Sequence, residues 1–95
     1  MPSYETVFAI PSIISEEEKN KSIESVEKLI SESSGQVISS DDMGERKLAY
    51  SVKGNERAYY HVIKFDMPSS EVNKLKGHYR LEENFIRDIV VKEEG

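Results

Sequence analysis

Gly44-Glu45-Arg46-Lys47-Leu48-Ala49-Tyr50-Ser51-Val52-Lys53 and, after a short polar break, Tyr59-Tyr60-His61-Val62-Ile63-Lys64-Phe65 are the stretches from which the fold is read. In the first, Leu48, Tyr50 and Val52 fall on one face of an extended chain, with Arg46 in line ahead of them. Lys47, Ala49 and Ser51 fall on the other face. The second stretch is rich in aromatic and β-branched residues, as strands are. Between them, Lys53-Gly54-Asn55-Glu56-Arg57 has turn residues at its centre and reads as a hairpin loop.

Working outward, the first strand of this hairpin extends back to Gln36, with a bulge or kink expected near Met43-Gly44. Ahead of it, Ser15-Glu16-Glu17-Glu18 has the form of a capping box. Ile23, Val26, Leu29 and Ile30 then recur at helical spacing, and Gly35 is a natural stop, so residues 16–33 form a helix. Tyr4 to Ile10 alternates, with Tyr4, Phe8 and Ile10 on one face, and Pro11 closes that strand. After the hairpin, Pro68-Ser69-Ser70 opens a second helix with Val72, Leu75 and Tyr79 facing inward. Gly77 weakens that helix by about 1 kcal/mol relative to Ala. Phe85 to Lys92 is a last strand. The order strand, helix, strand, strand, helix, strand is the α+β, ferredoxin-like βαββαβ arrangement. It predicts a single domain over residues 1–95, with two helices on one face of a four-stranded antiparallel sheet. Phe8, Ile10, Ile23, Val26, Ile30, Leu75 and Ile89 are its expected core. The third strand carries apolar residues on both faces, whereas a sheet face open to water is mostly polar. Part of the uncovered face is therefore open to a partner, the alternative being the scattered exposed apolar residues of any surface.

With 95 residues the chain has enough length for one modest core. There is no cysteine, which excludes disulfides, zinc-thiolate sites and thiol catalysis and fits a reducing cytoplasm. No apolar run approaches the length of a membrane span. The start, Met1-Pro2-Ser3-Tyr4-Glu5, lacks the charged and apolar regions of a signal peptide. The net charge of -5 is uneven. Residues 1–43 hold three Lys against nine acids, net -6, and residues 44–92 hold ten Lys or Arg against seven acids, net +3. Such asymmetry between halves points to a nucleic-acid surface or to chance differences between solvated faces.

Catalytic and cofactor constellations are missing. His61 and His78 are the only histidines and lack metal-ligand spacing, so no metal and no cofactor is expected. Glu16, Glu17 and Glu18 have a capping role, and Asp41-Asp42 is a solvated strand segment. Neither makes the environment-split carboxylate pair of acid–base chemistry. Acylphosphatases share this topology but place Arg and Gly after the first strand, where this chain has Pro11-Ser12-Ile13-Ile14-Ser15. No enzymatic activity and no small-molecule substrate is expected. Arg57-Ala58-Tyr59-Tyr60-His61-Val62-Ile63-Lys64 meets the third-strand signature of RRM modules only at Arg57, Tyr59 and Val62. The cations of interest are Arg46, Lys47, Lys53 and Arg57 around the hairpin, Arg80 near the end of helix two, and Arg87 and Lys92 on the last strand. Lys74 and Lys76, on a helix face without an aromatic companion, are the comparison set.

These residues together resemble the bacterial small-subunit ribosomal protein S6 family. The likeness runs over about residues 4–92. It takes in Tyr4-Glu5, the segment Gly44-Glu45-Arg46-Lys47-Leu48-Ala49-Tyr50, the pair Tyr59-Tyr60, the run Phe65-Asp66-Met67-Pro68, Arg80-Leu81-Glu82-Glu83-Asn84, and Val90-Val91-Lys92. The resemblance implies a structural constituent of the small (30S) ribosomal subunit. It would bind the central domain of small-subunit (16S) ribosomal RNA together with ribosomal protein S18. It implies RNA contacts at Arg46, Lys47, Tyr50, Lys53, Arg80, Arg87 and Lys92. Ser51 stands where the family often has Pro, which predicts easier pairing along that strand. Ala58 replaces a frequent Gly, and Asp88 sets an acid beside Arg87. The alternatives are a stand-alone RNA- or protein-binding module on the same sheet and, less compatible with the residues, a small hydrolase.

Overall fold

The computed structural model describes residues 1–93. Its elements are β1 (Ser3–Pro11), α1 (Glu16–Glu32), β2 (Gln36–Val52), β3 (Asn55–Asp66), α2 (Val72–Leu81) and β4 (Arg87–Lys92). A short 3-10 turn, Ser69–Glu71, leads into α2. The sheet is antiparallel in the order β2-β3-β1-β4, with the helices packed on one side. This is the expected ferredoxin-like arrangement.

β1 supplies the centre of the core because every second residue from Tyr4 to Ile10 faces the helices. Tyr4, Thr6, Phe8 and Ile10 are all buried on the helix side. The Phe8 ring meets those of His61 at 5.5 Å, Tyr79 at 5.8 Å and Phe85 edge-on at 5.2 Å. In α1 the Ser15 side chain accepts the Glu18 N–H at 3.1 Å, and Ser22, Val26 and Ile30 line the buried stripe. In α2, Val72, Leu75 and Tyr79 are buried as their spacing predicts. One polar pair ties α2 to the sheet. The Thr6 hydroxyl donates to the Ile89 carbonyl at 2.9 Å, which uses its only proton, so Tyr79 Oη donates to Thr6 Oγ1 at 2.7 Å. Burial raises the Tyr79 hydroxyl well above its ordinary range and keeps that donor protonated.

Gly35 stops α1 for a different reason from the one its residue type suggests. The left-handed residue after the helix is Ser34, with φ 64°. Gly35 instead donates to the Ile30 carbonyl at 2.9 Å while lying hard against β3. A Cβ there would stand 2.7 Å from the Asp66 carbonyl oxygen and 2.8 Å from that of Ile30. Both are backbone atoms, so the end of β3 or the helix terminus must move. Gly35→Ala is expected to cost about 1–3 kcal/mol, the usual range for forcing extra volume into a packed site. Chemical denaturation of the variant measures it, and an unchanged midpoint would refute the close approach.

Three sequence expectations need correction. Ile89 is not in the core but 54% exposed. The register puts Val90 opposite Thr6 on the helix side and Ile89 opposite Val7 on the other. Three successive β-branched residues hide that parity. The hairpin loop is only Lys53-Gly54, both with positive φ (52° and 80°), so β3 begins at Asn55. This is the two-residue primed turn that matches strand twist. The Leu48–Ser51 segment does not pair along its length: β2 keeps register with β3 up to Lys47–Arg57 and resumes at Val52–Asn55. The expected bulge near Met43-Gly44 is present, with a register shift between Asp42 and Gly44 and Gly44 at φ 85°.

Candidate nucleic-acid interface

The sheet face away from the helices can be read row by row from the register. One row runs Val91, Glu5, Lys64, Ser39 across β4, β1, β3 and β2. The next is Ile89, Val7, Val62, Asp41, and the next Arg87, Ala9, Tyr60, Gly44. The last is Pro11, Ala58, Arg46. The middle of this face is apolar and only part-covered, with Val7 and Val62 half-buried and Ile89 and Val91 exposed.

At the end of the face the chain covers itself. Four residues of β2, Leu48–Ser51, stand opposite the single β3 residue Glu56. The excess bends the strand over the sheet. Leu48 is buried against Ala9, Ala58 and Ile86, a small cluster separate from the main core. Ala9 and Ala58 make this possible, because larger side chains there would hold the bulge away. Two residues on, Tyr50 reaches β4, where the Arg87 guanidinium lies over its ring at 5.6 Å from the centroid. That is within cation–π range. Tyr50 is 69% exposed, and among the described residues no acid is paired with Arg87. The Tyr50 hydroxyl and, more weakly, Tyr60 raise the Arg87 pKa above its ordinary value. With no carboxylate paired to it among the described residues, the guanidinium can offer its planar fork of N–H donors to an anion.

The candidate residues thus fall into three places. Arg46, Tyr50 and Arg87 share the open face, with Lys53 on the exposed turn that follows the bulge. Lys47 has the opposite parity and stands across from Arg57 on the helix side of the sheet. Arg80 and Lys92 are also on that side: Arg80 on the exposed surface of α2, Lys92 opposite Tyr4 in β4. Asp88 faces the helix side with them, so it does not neutralise Arg87 as adjacency in sequence suggests.

Ion pairs sort the remaining cations. Arg57 Nη2 lies 3.2 Å from Glu45 Oε1, and Ser12 and Arg57 hold the Glu45 carboxyl below the ordinary carboxylate range. Lys74 Nζ is 2.7 Å from Glu71 Oε2. Lys76 is not isolated as its helix-face position suggests: with Arg80, Asp88, Ile89 and Val90 it lines a groove of about 370 Å³ beside β4. The RRM comparison also resolves. Tyr59 and His61, which occupy the stacking positions of that signature, pair with Ile10 and Phe8 and point to the helices. His61 is buried, bonded through Nε2 to Ser40 Oγ at 2.7 Å, and burial lowers its pKa. It is no base-stacking platform. Among the described residues, no three His, Asp or Glu side chains gather as metal ligands.

A sequence model of the family described as Ribosomal protein S6 matches residues 3–92. The Small ribosomal subunit protein bS6 of a Nitratiruptor species is 35% identical over 94 residues, which is 99% of this chain and 73% of that protein. The protein of the same name from Helicobacter pylori is 38% identical over 95 residues, 100% of this chain and 67% of that protein. The crystal structure of 30S ribosomal protein S6 from Thermotoga maritima superposes with a TM-score of 0.92 at 31% identity, covering 97% of this chain and 87% of that one.

Proposed function

Since this chain belongs to the ribosomal protein S6 family and is a structural, non-enzymatic constituent of the small ribosomal subunit, we propose that it binds central-domain 16S ribosomal RNA jointly with ribosomal protein S18. The observation that carries the RNA reading is the Arg87–Tyr50 cation–π contact on the open face, with Arg46 on the same face and Lys53 beyond it. It is a positioned cationic site on a chain of net charge -5. General attraction to a polyanion is weak for such a chain, so local geometry must supply the contact. Contacts of this kind go to phosphate and sugar and read the shape of folded RNA. Arg80 and Lys92 lie on the other side of the sheet and form, in this reading, a second and separate contact, with Lys47 the weakest member of the set.

The protein partner is assigned to the apolar row Ile89, Val7, Val62, which borders the cationic end of the same face. A basic protein seated there would sit next to Arg87 and offset the acidity of this chain, so that the two proteins present one joint surface to RNA. The test is a titration of central-domain RNA with this chain alone, with S18 alone and with both. Affinity with both is expected to exceed that of this chain alone by at least the 5–150-fold, about 1–3 kcal/mol, typical of coupled binding. Equal affinity with and without S18 would remove the joint-site reading.

A further inference from the structure

We propose that the free edge of β4 pairs with β4 of a second copy of this chain, antiparallel and centred on Val90, so that one sheet runs through both copies. The order β2-β3-β1-β4 leaves two edge strands. β2 is broken by three register shifts and carries Asp41 and Asp42, the usual protection against edge pairing. β4 is unbroken, and its charges, Arg87, Asp88 and Lys92, are of both signs and can pair across a two-fold. Its six residues pair with β1 without a register shift, and it contains no proline.

The backbone decides which registers are possible. Glu93 donates its N–H to the Ser3 carbonyl at 2.8 Å, and the Ile89 carbonyl is turned inward, where Thr6 reaches it. In an antiparallel ladder, alternate residues direct their polar groups to opposite sides. Arg87, Ile89 and Val91 are therefore bonded towards β1, and Asp88, Val90 and Lys92 present their N–H and C=O groups to the free edge. A second β4 satisfies these groups only if even-numbered residues face even-numbered ones.

The side chains then choose among the registers left. Centring on Ile89 sets Asp88 against Val90 and Arg87 against Val91. Centring on Val91 sets Val90 against Lys92 and Ile89 against Glu93. Centring on Val90 sets Asp88 against Lys92, Arg87 against Glu93, Ile89 against Val91 and Val90 against itself. Every pair then joins opposite charges or two apolar groups, and the two-fold repeats each unlike pair. Faces agree as well: Asp88 and Lys92 both lie on the helix side, and Arg87, Ile89, Val91 and Glu93 on the open side. Cross-strand pairs of these kinds stabilise sheets, and like charges in the same places oppose pairing. Ile89 and Val91, 54% and 49% exposed in one copy, become neighbours and lengthen the apolar row Val62, Val7, Ile89 across the seam. On the helix side, the groove lined by Lys76, Arg80 and Asp88 leaves room beside the strand.

A single short edge buries less than the roughly 1,200–2,000 Å² of a stable complex, so the dimer forms only at high protein concentration. Sedimentation velocity on the full chain at low salt, from micromolar to millimolar, tests it. The wild type is expected to pass from monomer to dimer. Asp88→Lys alone and Lys92→Asp alone are each expected to stay monomeric where the wild type is dimeric, because like charges then meet. Mixing the two variants is expected to restore dimers, as is combining both changes in one chain, since opposite signs again face each other. In the wild type, amide exchange at Val90 is expected to slow as concentration rises. A wild type that stays monomeric throughout overturns the proposal, as do single variants that dimerise like the wild type or a mixture that does not recover. Arg87, read above as an RNA contact, is occupied by Glu93 of the second copy in this dimer, so RNA is expected to dissociate it. The sedimentation series without RNA stands or falls independently of that reading.

Discussion

Phe8→Ala is expected to remove about 3–5 kcal/mol of stability, the range for emptying a fully buried aromatic site. Phe8 has no exposed surface, and its ring is enclosed by His61 from β3, Tyr79 from α2 and Phe85 ahead of β4. Two of these neighbours are fixed by other bonds. His61 is held by Ser40 and Tyr79 by Thr6, so neither can swing in to fill the space. The cavity therefore stays open, and the cost falls towards the upper end. A domain of 95 residues has a total stability of only about 5–14 kcal/mol. The loss is then a large share of the whole, and the variant is partly unfolded in mild urea. The midpoint of urea unfolding should fall with little change in slope, since the same surface is exposed on unfolding. Ile89→Ala is the contrast, because Ile89 is half-exposed and leaves no closed cavity. A Phe8→Ala loss no larger than that of Ile89→Ala would mean the core is not where β1 places it.

The parts of this fold that are legible in sequence are those where one residue property decides the outcome. The alternation of Tyr4, Phe8 and Ile10, the cap at Ser15 and the helical spacing of Val72, Leu75 and Tyr79 each name a buried face without reference to the rest of the chain. Ile89 misleads because Ile89, Val90 and Val91 are alike. Only the pairing with Thr6 and Val7 tells which of them points inward. The site is half legible. Arg46, Tyr50 and Arg87 can be named as cations and an aromatic of interest. That Tyr50 and Arg87 meet cannot, because they lie 37 positions apart on strands at opposite edges of the sheet. They are joined by a bulge whose length depends on the register resuming at Val52–Asn55. The signal available is small residues in place: Ala58 in β3 and Ala9 in β1, on the face where a strand normally carries larger groups.

The pair Arg46→Ala and Arg87→Ala is expected to lower the salt slope of log K for RNA, measured with S18 present, by about 1.4–1.8. Each lost phosphate contact contributes roughly 0.7–0.9 to that slope. Both arginines are on the open face, and neither shares a carboxylate ion pair among the described residues. Arg87 is expected to matter more, because the Tyr50 ring beside it limits where its guanidinium can go before RNA arrives, whereas Arg46 has only a long contact, 3.5 Å, to the Met43 carbonyl. Two further variants separate charge from geometry. Arg87→Lys keeps the charge but loses the planar fork, and should recover the slope without recovering the full affinity. Tyr50→Phe keeps the ring and should bind nearly as the wild type, whereas Tyr50→Ala releases the guanidinium and should weaken binding with the slope unchanged. Lys74→Ala is the control, since its ammonium is already paired with Glu71 at 2.7 Å. Lys76 cannot serve as one, because it shares a groove with Arg80. Lys47→Ala should fall between, its side chain being on the face that Arg57 and Glu45 occupy. None of these exposed positions carries core packing, so folding should be unchanged in circular dichroism. If Lys74→Ala lowers the slope as much as Arg87→Ala does, attraction is spread over the surface and Arg87 is not the contact.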